Sequence, residues 1–355
     1  MWRSAFNVKL FTLFLLRLST LLTALMLIAL ALGRALPAGE RFSFAEKRGV
    51  NSDIYALDLS RSLLVDLTRS PGNDVDEAWS PDGTRMAFIS DRSGAFQLYL
   101  MTLDGGGVHL LDAHAISPNY RPVWSSNGRS LVYDVMATNG DDIAVVAVDQ
   151  PLVAGSNPRV LAPSPTDDRY PVWSPDGTHI AFTSWRNGSC EIFLVRPDGS
   201  DLTDLSSDPD GNDVSPAWSP DGQQIAFFSI RSQFRELYVM NVDGSHVRQL
   251  TDARQPRDGS YWGAPVWSPD GQSIAYQTEI GNLPSVVVID LNGSVQRQLI
   301  NGQQARPLFG GKRLTYLAIS NERTLLYLTE ADGSSPRALT PVDANANLFS
   351  NLFAR

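Results

Sequence analysis

One phrase recurs five times in this chain, at a spacing that leaves few folds open. AWSPDGTRMAF starts at Ala78, VWSSNGRSLVY at Val123, VWSPDGTHIAF at Val172, AWSPDGQQIAF at Ala217 and VWSPDGQSIAY at Val266. The tryptophans Trp79, Trp124, Trp173, Trp218 and Trp267 are thus 45, 49, 45 and 49 residues apart. A repeat of that length is one supersecondary unit, unable to bury its own faces, that must stack on its neighbours. Two worn copies follow. RPLFGGKRLTYLAIS from Arg306 puts Phe309 in the tryptophan place, and NLFSNLF from Asn347 puts Phe349 there.

Each unit reads as four strands. In the unit that opens at Glu77, residues 77–80 form a short first strand. Residues 85–90 alternate around Met86, Phe88 and Ser90, residues 97–102 form a third strand and residues 107–111 a fourth. Period-two alternation bounded by Gly, Asp, Asn and Pro is the strand-and-hairpin signature, and no sustained helical period appears after Arg41. The Ser-Pro-Asp-Gly tetrad fits a turn between the first two strands. Pro presets φ at the second position, Asp tolerates the third, and Gly supplies the positive φ that follows. A catalytic carboxylate is not expected to recur around one fold, so the tetrad is architecture. The tryptophan is read as a packing residue between units, because phenylalanine replaces it in both worn copies.

Residues 41–68 contain strands two, three and four without a tryptophan strand, and the C-terminus supplies a tryptophan-strand lookalike with no unit after it. The two fragments complement each other. The expected fold is all-β, a β-propeller of four-stranded antiparallel blades closed by the C-terminal strand, which removes open edges. Seven blades fit residues 41–355. Six is the alternative if the Phe309 unit or the terminal fragments belong elsewhere.

The N-terminus is different in kind. Residues 18–33 carry no charge, and Arg3, Lys9 and Arg17 precede them. Residues 1–34 read as an uncleaved signal anchor or as a secretory signal peptide, with the anchor favoured and residues 35–40 as a linker. Positive charge ahead of the apolar run places the body outside the cytoplasm, periplasmic or at the cell surface. The first 34 residues hold four of the 29 basic side chains and no acid, so the body sets 25 basic against 38 acidic groups. A body that acidic argues against nucleic-acid binding. The single cysteine, Cys190, excludes an intrachain disulfide and a cysteine-based zinc site.

WSPDG, the alternating strand after it, Ser90-Asp91-Arg92, Ser184-Trp185-Arg186 and Ser229-Ile230-Arg231 together resemble the TolB-type, WD40-like β-propeller repeat. So do Asp53-Ile54-Tyr55, Gln97-Leu98-Tyr99, Glu191-Ile192-Phe193 and Glu236-Leu237-Tyr238, each followed by a fourth-strand turn. The resemblance implies an extracytoplasmic propeller. TolB itself, as the family implies, has six blades and an α/β domain ahead of them, for which no segment here fits. The Tol–Pal partnership is therefore not carried over.

In such a propeller the uniform SPDG and DG turns share one face, and the variable loops share the other. Function usually sits on variable loops, and aromatics with arginines are the residue types of binding hot spots. The candidate partner-binding residues are Tyr170, Trp185, Tyr261 and Trp262 with Arg92, Arg186, Arg231 and Arg235. The competing reading makes each S-x-R arginine local glue, for instance Arg186 paired with Glu191. The four histidines are scattered over different strand types, no phosphate loop or nucleophile elbow is present, and Asp208–Asp213 resembles a calcium loop only faintly. No catalytic residue, cofactor or metal is assigned. The expected function is a membrane-anchored protein-interaction scaffold. The alternatives are a glycan- or peptide-binding sensor, or a hydrolase or lyase using carboxylates in the central channel.

Overall fold

These strands carry apolar residues on both faces rather than alternating apolar and polar, and the reason is that both sheet faces are covered. In Arg85–Ser90, Met86 and Phe88 pack toward one neighbouring sheet while Ala87 and Ile89 pack toward the other. All four side chains are fully buried. Successive side chains of a strand point to opposite faces, so one six-residue strand feeds two separate cores.

The computed structural model describes residues 41–338 apart from 49–50, 59–62, 103–106, 119–120, 149–157, 209–210, 233, 253–262, 281–282, 301, 308–312, 321–322 and 331. Among these residues seven antiparallel sheets follow one another along the chain, six of four strands and one of three. The first sheet is Arg41–Arg48, Asn51–Asp58 and Leu63–Asp66, the three-stranded unit expected from the sequence. The second is Asp74–Trp79, Arg85–Ser90, Gln97–Thr102 and Val108–Asp112. The later sheets open with Val123–Trp124, Asp168–Trp173, Val214–Trp218, Val266–Trp267 and Gly302–Pro307. These opening strands touch one another from the second sheet to the seventh, so they form the hub of the stack. The N-terminal apolar run and the C-terminal NLFSNLF strand lie outside the described residues.

Apolar side chains fill the gaps between consecutive sheets rather than one central core. Phe228 and Leu237 of the fifth sheet meet Trp267, Ile274 and Tyr276 of the sixth. Val132 and Ile143 of the third meet Ile180, Phe182 and Phe193 of the fourth. The tryptophans add a polar tie. The indole N–H of Trp124 donates to Ala78 O at 2.9 Å, that of Trp267 to Ala217 O at 3.0 Å and that of Trp218 to Val172 O at 3.3 Å. Each acceptor belongs to the opening strand of the preceding sheet, so these three tryptophans join sheets by hydrogen bond as well as by area, whereas Trp173 Nε1 is buried without a partner.

The SPDG turns are built alike. Ser219 Oγ donates to Asp221 Oδ1 at 2.6 Å, Gln223 N donates to the same oxygen at 3.1 Å, and Gln224 N donates back to Ser219 Oγ at 2.9 Å. Gly222 takes φ 70°, a conformation that disfavours any Cβ. Asn127 Oδ1 reproduces the aspartate's role in the copy that lacks Pro and Asp.

Candidate functional site

The opposite ends of the sheets carry the non-repeating residues, and there the opening strands are bent. The register slips between Val75 and Ala78, between Arg169 and Val172, and between Val214 and Ala217. The residue inside each slip is left-handed: Asp76 at φ 55°, Tyr170 at 59° and Ser215 at 59°. Positive φ on three non-glycine residues at equivalent positions marks a repeated bulge that surrounding contacts hold in place. Those contacts come from the preceding sheet. Ser215 N donates to Thr183 Oγ1 at 3.1 Å, and Tyr170 N donates to Asp134 Oδ2 at 3.5 Å.

Three arginines clamp these ends. Arg92 Nε donates to Ser90 Oγ at 2.9 Å, and its Nη2 lies 2.9 Å from Asp74 Oδ1. Its guanidinium sits 5.0 Å from both the Phe88 and the Tyr99 ring centroids. Arg186 repeats the pattern with Ser184 and Asp168 at 2.8 and 2.7 Å, over Phe182 and Phe193, and its Nη2 also donates to Ala162 O. Arg231 does so with Ser229 and Asp213, over Phe227 and Tyr238.

This corrects the pairing expected for the S-x-R arginines. Arg186 does not pair with Glu191: the register sets both Asp168 and Glu191 opposite Ser184, and the guanidinium turns to Asp168. Glu191 is occupied elsewhere, accepting from Ser189 Oγ, Ser206 Oγ and Asp208 N. The aspartates are completely buried. Burial outweighs the arginine beside it and pushes Asp168, and likewise Asp213, up to about 6. Asp208 and Asp213, the ends of the stretch that faintly resembles a calcium loop, both meet Arg231, whose Nε lies 3.5 Å from Asp208 Oδ2. Among the described residues no group of three or more ligands could hold a metal ion.

The other candidates are distributed as follows. Tyr170, Trp185 and Arg186 share the variable end of the fourth sheet. Trp185 N donates to Asp167 O at 3.1 Å, and on the same sheet burial pushes the Cys190 thiol up to about 12. Arg235 stacks 3.9 Å from the Phe228 ring centroid, beside Phe234, which is 38% exposed. Arg92 is separated from both groups by the third sheet. Tyr261 and Trp262 lie outside the described residues.

Two features escaped the sequence reading. The first joins the third and fourth sheets: Arg169 Nη2 lies 3.0 Å from Asp141 Oδ2 and 3.1 Å from Asp167 Oδ2, next to buried Asp134. Asp134 stands where the other copies have Ile89, Thr183, Phe228 and Gln277, and that misfit was the available signal. The second is His114, whose Nδ1 lies 2.7 Å from buried Asp112; Tyr133 Oη donates to the same carboxylate at 2.6 Å.

The family model described as the TolB beta propeller domain matches residues 33–169 and 153–348. The chain belongs to the TolB β-propeller family. The protein named TolB homolog from Chlorobium luteolum is 33% identical over 170 residues, which cover 48% of this chain and 37% of that relative. The matched stretch thus spans little more than a third of that relative's length. Two solved structures share the propeller fold at identities that show the fold alone. TolB from Acinetobacter baumannii superposes with a TM-score of 0.55 at 20% identity, over 74% of this chain and 64% of that one. A puromycin-hydrolyzing peptidase of Mycobacterium tuberculosis gives 0.65 at 14% identity, over 88% and 53%. No helix among the described residues is long and apolar enough to cross a membrane.

Proposed function

We propose that this TolB-family propeller is an extracytoplasmic protein-interaction scaffold, held to a membrane by residues 1–34, that binds a protein partner through its variable-loop face. One observation carries the reading. The turn face bonds a serine to an aspartate in four of the five repeat copies and to Asn127 in the other, whereas the opposite face, beyond its three arginine clamps, presents different side chains from sheet to sheet. Trp185, Arg235 and Phe234 are accessible there, and aromatics with arginine favour protein contact. Arg92, Arg186 and Arg231 support that surface from below through their aspartates. The family's TolB members favour a partner outside the cytoplasm. The three-stranded first sheet favours a seven-blade ring that the C-terminal NLFSNLF strand completes.

The test is capture from envelope extract by the tagged full chain, compared with a Trp185→Ala, Arg235→Ala double variant. A partner retained by the wild type and lost from an equally stable variant supports the reading. Equal retention by both overturns the assigned face.

A second reading is a hydrolase or lyase working with channel carboxylates. It draws on the likeness to the peptidase and on buried aspartates held above the usual carboxylate range, an arrangement found at acid–base sites. Turnover of a glycan or peptide panel that is lost on Asp168→Asn, on the hub strand, would replace the scaffold reading with this one.

A further inference from the structure

The third sheet departs from the others at one buried position. In its second strand, Ser130–Ala137, the residue after the aromatic is Asp134, 1% exposed. The corresponding residue of the fourth sheet, Thr183, accepts the bulge amide of the next opening strand through a hydroxyl. Asp134 Oδ2 accepts the equivalent amide, Tyr170 N. A hydroxyl is enough for that bond, so the carboxyl brings a second oxygen. That Oδ1 is buried and has no hydrogen-bond partner.

The surroundings do not favour a second charge. Asp141 and Asp142 lie on the neighbouring strand Gly140–Ala147, Asp167 precedes the next opening strand, and Asp168 and Arg169 begin it. Arg169 is shared between Asp141 and Asp167, and Arg186 is engaged by Asp168, whose own Oδ1 has no partner either. On the opposite side of the strand, Tyr133 meets Asp112, which in turn meets His114. The joint between the third and fourth sheets therefore sets five carboxyls against two guanidiniums. Asp134, Asp142 and Asp168 are buried, whereas Asp141 and Asp167 keep some exposure. A buried carboxyl with no cation of its own, as at Asp134, is favoured in its protonated form. No metal-holding group exists among the described residues.

We propose that the joint between the third and fourth sheets is a proton-locked seam, closed when the Asp134 carboxyl is protonated and loosened when it ionises. Burial, with Asp141 and Asp168 nearby, holds this carboxyl well above the usual range. The folded state keeps a proton that the unfolded chain has already lost. Its stabilising effect is therefore present at low pH and declines as pH rises through the folded value. The seam ends at Tyr170 and Asp167, so loosening it disturbs the surface beside Trp185.

The experiment is thermal unfolding of the full chain in detergent from pH 5 to 9, for wild type, Asp134→Thr and Asp134→Asn. Threonine is the fourth sheet's own solution, and asparagine is a permanently neutral isostere. The wild-type midpoint should fall with rising pH. Both variants should lose about one proton's share of that slope and melt roughly 2 °C or more above wild type at pH 8. Parallel profiles overturn the proposal whatever their offset. Hydrogen exchange of the wild type, corrected for intrinsic rates, needs no substitution. Protection of residues 130–137 and 168–173 should fall as pH rises, and pH-independent protection overturns the seam.

Discussion

The two ends of each sheet solve the same problem in opposite ways. At the turn end, Ser174, Asp176 and Thr178 bond within a few residues, as do Ser219, Asp221 and Gln223, and Ser268, Asp270 and Gln272. At the other end Arg186 reaches Asp168 and Ala162, and Ser215 reaches Thr183 in the preceding sheet. Local bonds can be copied from sheet to sheet without regard to neighbours. Long-range bonds depend on what the next sheet offers, so they diverge. Loss of a turn bond should stay confined to one hairpin, while loss of a clamp should spread across a sheet boundary.

The sharpest way to break that contrast is Arg186→Ala. It leaves a buried aspartate without its cation and uncovers two rings. The expected loss is about 3 kcal/mol, somewhat below a fully buried pair because the arginine retains some exposure. Chemical denaturation measures it, and a loss no larger than that of a turn variant would erase the distinction.

Titration separates the two ends by sign. Asp168 and Asp213 hold protons up to about 6 in the folded state, so their share of stability falls as pH rises from the unfolded value toward 6. The decline is at most about 1.4 kcal/mol per pH unit for each group. Asp176, Asp221 and Asp270 are held below the usual range, first by the serine hydroxyls beside them. Their share is present above the unfolded value and is lost as pH falls toward the folded one. Stability should therefore decline on both sides of an acidic optimum, and a flat profile between pH 4 and 6 would contradict the clamp assignment.

Asp221→Ala removes two hydrogen bonds from one exposed turn. The expected loss is about 1 kcal/mol, read as a small shift in denaturation midpoint with an unchanged slope. The smallest effect belongs to Phe234→Ala. Exposed and outside the clamps, it should change stability by less than about 0.5 kcal/mol while weakening partner capture. A large stability loss there would show that the variable face serves folding before binding.

Much of the fold was legible because repeats act as an alignment within one chain. The strands Arg85–Ser90 and Gln97–Thr102 were bounded correctly by their turn residues, and the first unit was read as three strands. The clamp was half legible. Where S-x-R occurs, an aspartate stands five residues before the tryptophan: Asp74, Asp168 and Asp213. Where the arginine is absent, at Val135-Met136-Ala137 and Thr278-Glu279-Ile280, that place holds Asn119 and Trp262. The pairing was missed because Glu191 is nearer along the chain than Asp168. Tyr170 and Trp185 were singled out by residue type, but the aspartates around Arg169 were not, because the misfit of Asp134 shows only when the copies are compared position by position.

Sequence alone determined the unit, its four strands, its turns and the division into a uniform and a variable end. Each of these rests on short-range chemistry: a preset φ, a side chain bonding two residues on, a period of two. Tertiary structure decided which charge meets which. Partners such as Arg186 and Asp168 become neighbours only through strand register, and Asp134 becomes an uncompensated carboxyl only when the fourth sheet covers the third. Burial and register are properties of the stacked sheets, and no single copy of the repeat contains them.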